Sequence, residues 1–123
     1  MHSRAELGRV GEELVANYLR AQGYSLCAHN YKKRCGEIDL IARKNQTIVF
    51  VEVKLREHAY FSISQVVTLL KQKKIIRTAL HYQYEFLGQQ EVSLRFDVAL
   101  LERKGVGYDL VYIPDAFRSC EEY

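Results

Sequence analysis

Two short runs rich in β-branched residues constrain this chain more than anything else in it: Glu37-Ile38-Asp39-Leu40-Ile41 and Ile48-Val49-Phe50-Val51-Glu52-Val53-Lys54-Leu55-Arg56. A polar Arg43-Lys44-Asn45-Gln46 turn separates them, so they read as two paired strands. Side chains alternate along a strand, which puts Val49, Val51, Val53 and Leu55 on one face. Ile48 and Phe50 begin the other face, and Glu52, Lys54 and Arg56 continue it. A strand apolar on both faces belongs in the middle of a sheet. Asp39 is set between Ile38 and Leu40 on the neighbouring strand. Two carboxylates and an ammonium are thus expected at one end of a buried sheet, where ions are costly unless paired or bound to metal.

The rest of the chain supplies the frame. Ser3 to Gln22 reads as a helix, with Ser3 and Glu6 spaced as a capping box and Gly23 placed to end it. Its apolar stripe is Leu7, Val10, Leu14, Val15, Tyr18, Leu19 and Ala21; Glu12 falls on the border of that stripe and Glu13 on the wet face. Strands are expected over Tyr24–Tyr31, Glu37–Ala42, Ile48–Arg56, Leu94–Leu101 and Tyr108–Ile113, the last ended by Pro114. A second helix runs from Ser62 to about Tyr84, with a Ser62/Gln65 capping box and Ile63, Val66, Val67, Leu70, Ile76 and Leu80 as its buried positions. The order α-β-β-β-α-β-β predicts one α/β domain over residues 1–123, a mixed five-stranded sheet flanked by helices.

Several function classes fall away on this reading. No apolar run approaches the roughly 20 residues of a membrane span, and the N-terminus lacks a secretory signal's apolar core. Cys27, Cys35 and Cys120 are odd in number and keep no metal-binding spacing, which favours reduced thiols and a cytoplasmic protein. The four histidines are scattered, against a zinc site, and no glycine-rich phosphate loop precedes a helix. The net charge is +3, too small to demand a polyanionic partner. Its distribution is more telling: Lys32-Lys33-Arg34 precedes the first acidic strand, and Lys71, Lys73, Lys74 and Arg77 crowd the second helix. These are candidate phosphate contacts, or simply solvated faces.

Hard divalent cations take carboxylate and carbonyl oxygens. Asp39, Glu52 and the backbone carbonyl of Val53 could provide such a set for Mg²⁺ or Mn²⁺, with Lys54, two residues on, placed to orient water or stabilise developing charge. The alternative is a buried Glu52–Lys54 pair with Asp39 in a turn. Asp97 alternates against Phe96 and Val98 and would either approach this site or pair with Arg95.

Gly11-Glu12-Glu13-Leu14 ending at Gly23-Tyr24, Gly36-Glu37-Ile38-Asp39-Leu40-Ile41-Ala42, and Phe50-Val51-Glu52-Val53-Lys54-Leu55-Arg56 together resemble the bacterial YraN-type family. Lys71, Arg95-Phe96-Asp97-Val98 and Ile113-Pro114-Asp115-Ala116-Phe117 look like its later motifs. That family is similar to the restriction-endonuclease-like PD-(D/E)XK superfamily, and within it to Holliday-junction resolvases. The resemblance implies a restriction-endonuclease-like core with Asp39, Glu52 and Lys54 in the metal and catalytic positions and Glu12 as the helical glutamate. Arg56, Lys71, Lys74 and Arg77 would then meet nucleic acid, DNA in the first instance, and a homodimer would suit a branched substrate. Two departures stand out: Phe61-Ser62 where the family often has Phe-Gly, and Gly36-Glu37 where the superfamily's name has Pro. The expected function is metal-dependent phosphodiester hydrolysis in branched or structured DNA. The alternatives are a nucleic-acid-binding or adaptor protein that keeps the fold without cleaving, and a partner-binding domain.

Overall fold

The computed structural model describes residues 4–56 and 62–119, with side chains from Gly8 onward. Helix α1 (Arg4–Ala21) leads into β1 (Ser25–Lys33), β2 (Gly36–Lys44) and β3 (Thr47–Leu55). A short α2 (Ile63–Val66), α3 (Leu69–Tyr82) and a π-helical turn (Gln83–Leu87) follow, then β4 (Ser93–Lys104) and β5 (Gly107–Phe117). The strands form one mixed sheet in the order β1-β2-β3-β4-β5. β1, β2 and β3 are an antiparallel meander; β4 lies parallel to β3 after the helical crossover, and β5 returns antiparallel at the far edge. Helix, three strands, helices and two strands is the α/β order read from the sequence.

Each face of the sheet carries its own core. Val15, Ala16 and Leu19 of α1 pack on Leu40, Ala42, Val49, Val51, Ala99 and Leu101. Ile75, Ala79 and Tyr82 of α3 pack on Ile38, Ile41, Ile48, Phe50, Phe96, Val98 and Leu100. α1 ends as its sequence predicts: Gly23 adopts φ 94°, its amide donates to Arg20 O and that of Tyr24 to Leu19 O. The Ser3/Glu6 cap lies outside the described residues.

The buried stripes of both helices differ from expectation. Val10 and Leu14 of α1 are exposed, at 43% and 39%. The helix seats on Gly11 instead, where an added Cβ would stand 2.7 Å from Leu101 Cδ1, so close approach outweighs the larger apolar side chains. The second helix is interrupted at Val67, which is extended (φ −127°, ψ 111°), and restarts at Thr68, whose hydroxyl accepts from Lys71 N at 3.2 Å. That break resets the helical phase. Ile75, Thr78, Ala79 and Tyr82 are buried, whereas Leu70 and Leu80, which an uninterrupted pattern turns inward, are exposed.

Pro114 does not end β5, because an edge strand can leave a missing N–H facing solvent. The irregularity is carried by Asp97, fully buried, opposite a shift in β4–β5 register. Its carboxylate accepts from Arg95 (2.9 and 2.8 Å), Tyr112 OH (2.5 Å) and the amide of Asp115, which sits at φ 51°. Asp97 is thus the ion-pair partner of Arg95. Asp97→Ala strands a guanidinium, a hydroxyl and an amide; urea denaturation should show a destabilisation of about 3 kcal/mol or more.

Candidate active site

The β2–β3 ladder runs from Lys44↔Thr47 to Leu40↔Val51 and stops there. On the other side of β2, the pairs His29↔Leu40 and Tyr31↔Ile38 flank an unpaired Asn30, which adopts φ 50°. Ile38 and Ile41 both pack on the α3 side, while Leu40 and Ala42 pack on the α1 side. Alternation therefore slips by one residue at Asp39. The residue it displaces is Ile38; Asp39 keeps the phase of Ile41, opposite Glu52 in the β2–β3 register, and both line a cleft of about 320 Å³. Beyond the ladder's end the Asp39 carboxyl replaces a backbone partner: Val53 N donates to its Oδ2 at 2.8 Å. A residue in a strand directs its N–H and C=O to one edge, so Val53's carbonyl faces the same gap.

The helical wall of the cleft is set by Gly36. A Cβ there would lie 2.9 Å from Thr78 Oγ1 and 3.3 Å from Lys74 O, so only glycine lets α3 come this near to the start of β2. Thr68, Lys71 and Lys74 thereby face Glu37, Asp39 and Glu52. Lys71 Nζ lies 2.6 Å from Oε2 of Glu52, whose side chain is 4% exposed. The contact is an ion pair without hydrogen-bond angles, and that buried oxygen has no well-formed hydrogen bond.

The other expected residues lie around this centre. Lys54 is half-buried, one alternation beyond Glu52 on β3, and does not line the cleft. Glu12 is half-buried on α1 and accepts from Asn30 Nδ2 at 3.1 Å. Burial, then Glu37 and Glu52 nearby, raise its pKa against the lowering effect of Asn30. Arg56 follows β3, its amide donating to Leu101 O. Arg77 is separated from Lys71 and Lys74: it lines another depression with Lys73 and Leu80, because six residues along a helix stop about 120° short of two whole turns. Sequence reasoning misses Glu37, Thr68 and Asn30, and reads Lys71 only as a phosphate contact. Asn30 alone carries a signal, as asparagine tolerates the left-handed conformation.

A larger depression, about 530 Å³, lies at the opposite ends of β3 and β4, lined by Thr47, Ser93, Leu94 and Phe117. The charges beside it are already matched, Arg95 with Asp97 and Arg118 with Asp115. The smaller cleft keeps charges that are incompletely matched.

Burial pushes the Asp39 carboxyl up to about 8, with hydrogen bonding to and repulsion from Glu52 adding to the rise and the Val53 amide opposing it. Burial of Lys71 works to lower its pKa, but the close contact with and charge of Glu52, with Asp39 and Glu37, outweigh it and the net shift is upward. Two carboxylates and a carbonyl are hard oxygen donors, and a buried oxygen met by an ion pair but no hydrogen bond, beside a carboxyl whose ionised form burial disfavours, is what a cation would relieve. The set fits Mg²⁺ or Mn²⁺, although among the described residues no three His, Cys, Asp or Glu side chains gather as a metal cluster. The ordinary value of an Asp is 3.8, so the folded protein keeps a proton here that the unfolded chain releases. Stability from this group is full below about pH 4 and is lost as pH rises to about 8. Without metal, Asp39→Asn should gain on the wild type across that window by at most about 1.4 kcal/mol per pH unit in urea titrations.

The sequence model described as uncharacterised protein family UPF0102 matches residues 11–101. A UPF0102 protein of Chlorobium chlorochromatii is 43% identical over 123 residues, covering 94% of this chain and 94% of its own. One of Geotalea daltonii is 39% identical over 113 residues (90% and 88%), and one of Treponema pallidum 38% over 115 (90% and 91%). The matched span includes Glu12, Asp39, Glu52, Lys54, Arg56, Lys71, Lys74 and Arg77. This chain belongs to the uncharacterised protein family UPF0102.

Proposed function

We propose that this protein is a metal-dependent endonuclease that hydrolyses phosphodiester bonds in branched or structured DNA. The observation that carries this reading is the shared cleft of Asp39 and Glu52 at the point where β2 and β3 part, beneath Lys71 and Lys74. Asp39, Glu52 and the carbonyl of Val53 would hold Mg²⁺ or Mn²⁺. When bound, that cation supplies charge neutralisation and a water of lowered pKa. Asp39 holds the end of β3 in place through the Val53 amide, so the carboxylates are positioned without a ligand. Lys54 follows Glu52 on its strand face and stabilises the charge that develops on the phosphoryl oxygens. Glu12, tied to Asn30, adds a carboxylate from the α1 side. Lys71 and Lys74 at the mouth, with Arg56 and Arg77 beyond it, meet the phosphate backbone.

No helix among the described residues is long and apolar enough to cross a membrane. Two-fold pairing of copies would supply the two cuts that a four-way junction needs. One observation favours a second reading, DNA binding without cleavage: the ammonium of Lys71 itself neutralises Glu52.

Labelled duplex, single-stranded, flap and four-way DNA, incubated with Mg²⁺ or Mn²⁺, separate the two readings. Cleavage by the wild type should fall on the order of a hundredfold or more in Asp39→Ala and in Lys54→Ala. Binding of four-way DNA with no cleavage in either metal would leave the binding reading. In gel shifts, replacing Lys74 and Arg77 by Ala should flatten the salt dependence of duplex affinity by roughly 0.9 log units per log unit of salt for each phosphate no longer neutralised. An unchanged slope would make those side chains merely solvated.

A further inference from the structure

A lysine in the first turn of a helix sits where the backbone N–H groups and the macrodipole disfavour positive charge. Lys71 occupies that place in α3: its amide is capped by Thr68, and the first turn holds no acidic residue. Its ammonium reaches away from the helix end to Glu52, at 2.6 Å. The two partners are unequal. The side chain of Lys71 is 47% exposed and that of Glu52 4% exposed. Lys71 can withdraw into water at little cost, whereas Glu52 cannot be left as a lone buried charge. The contact is also incomplete, because the Glu52 oxygen that meets Lys71 lacks hydrogen-bond geometry. An oxygen so placed is half-satisfied by the lysine and open to a stronger partner.

We infer that Lys71 is the resident counter-ion of the carboxylate cleft, displaced from Glu52 when a divalent cation binds and thereby freed to meet a substrate phosphate. The inference rests on the metal-site reading above. It gives Lys71 a different task from Lys54, which follows Glu52 on β3 and does not line the cleft. It also gives the Gly36 contact a purpose, since only that close approach of α3 brings the Lys71 stem within reach of Glu52. The exchange is one cation for another: Glu52 keeps a positive partner while the lysine moves outward beside Lys74.

Isothermal titration of metal-free protein with MnCl₂ and MgCl₂ tests this, using wild type, Lys71→Met, Lys71→Arg and Glu52→Gln. Removing the competing ammonium should tighten cation binding by Lys71→Met roughly three- to tenfold, the worth of a partly exposed ion pair. Lys71→Arg keeps the charge and should stay near the wild type. Thermal melts supply a second readout. Lys71→Met should melt below the wild type without metal, and the gap should close at saturating metal, where Lys71 no longer pairs. Unchanged or weaker binding by Lys71→Met, with binding abolished in Glu52→Gln, would overturn the displacement and leave the metal site standing. Equal binding by Glu52→Gln and wild type, or no binding by wild type, would overturn both.

Discussion

Two carboxyl groups buried side by side at the end of a sheet set the terms for this structure. Each would be costly alone in a medium of low polarity, and together they repel. The fold answers with three local arrangements. Burial raises the pKa of Asp39, which accepts from the Val53 amide, Glu52 takes the ammonium of Lys71, and β2 and β3 part where their ladder would otherwise crowd both side chains. The Asp39–Val53 hydrogen bond spans that gap and stands in for the next rung of the ladder. The candidate site and the strand geometry are therefore one feature: the departure from regular pairing is what exposes the carboxyls to a cleft.

Small residues position everything around that gap. Gly11 lets α1 settle against Leu101 and Val53, which brings Glu12 to the sheet's margin beside Asn30. Gly36 does the same for α3 and brings Lys71 and Lys74 over the acidic residues. Neither glycine has a positive φ, so their value lies in the absent Cβ, not in backbone freedom. The far side of the sheet is held differently. There Asp97 gathers Arg95, Tyr112 and the Asp115 amide, anchoring an irregular edge strand through a fully paired buried charge. One buried carboxylate is completely satisfied and structural; the Asp39–Glu52 pair is incompletely satisfied and open to a ligand. That contrast separates scaffold from site.

Much of this is legible in the residues themselves. Ile48 to Leu55, apolar on both faces until Glu52, has to be a central strand, and Asp39 between Ile38 and Leu40 has to lie beside it. The polar Arg43–Gln46 turn makes that pairing antiparallel and local. What periodicity does not show is the break at Val67, because valine carries no breaker signal. The phase of α3 goes astray with it: an unbroken pattern turns Leu70 and Leu80 inward and passes over Ile75 and Ala79. Pro114 misleads for a related reason, since whether proline ends a strand depends on whether that strand has a neighbour on both sides.

Local sequence was enough to specify the order of the elements, the central place of β3 and the residue types available for chemistry, because alternation and turn residues act over a few neighbours. Which charges meet was settled by the tertiary fold. The β2–β3 register sets Asp39 opposite Glu52, and the slip beside it turns Ile38, which strict alternation would have left on the α1 face, to the α3 side. Lys71 is nineteen positions from Glu52 and carries no local mark of its pairing. Their contact depends on a helix restarting at Thr68 and on a glycine at position 36 admitting it, a long-range fit that no short stretch of chain encodes.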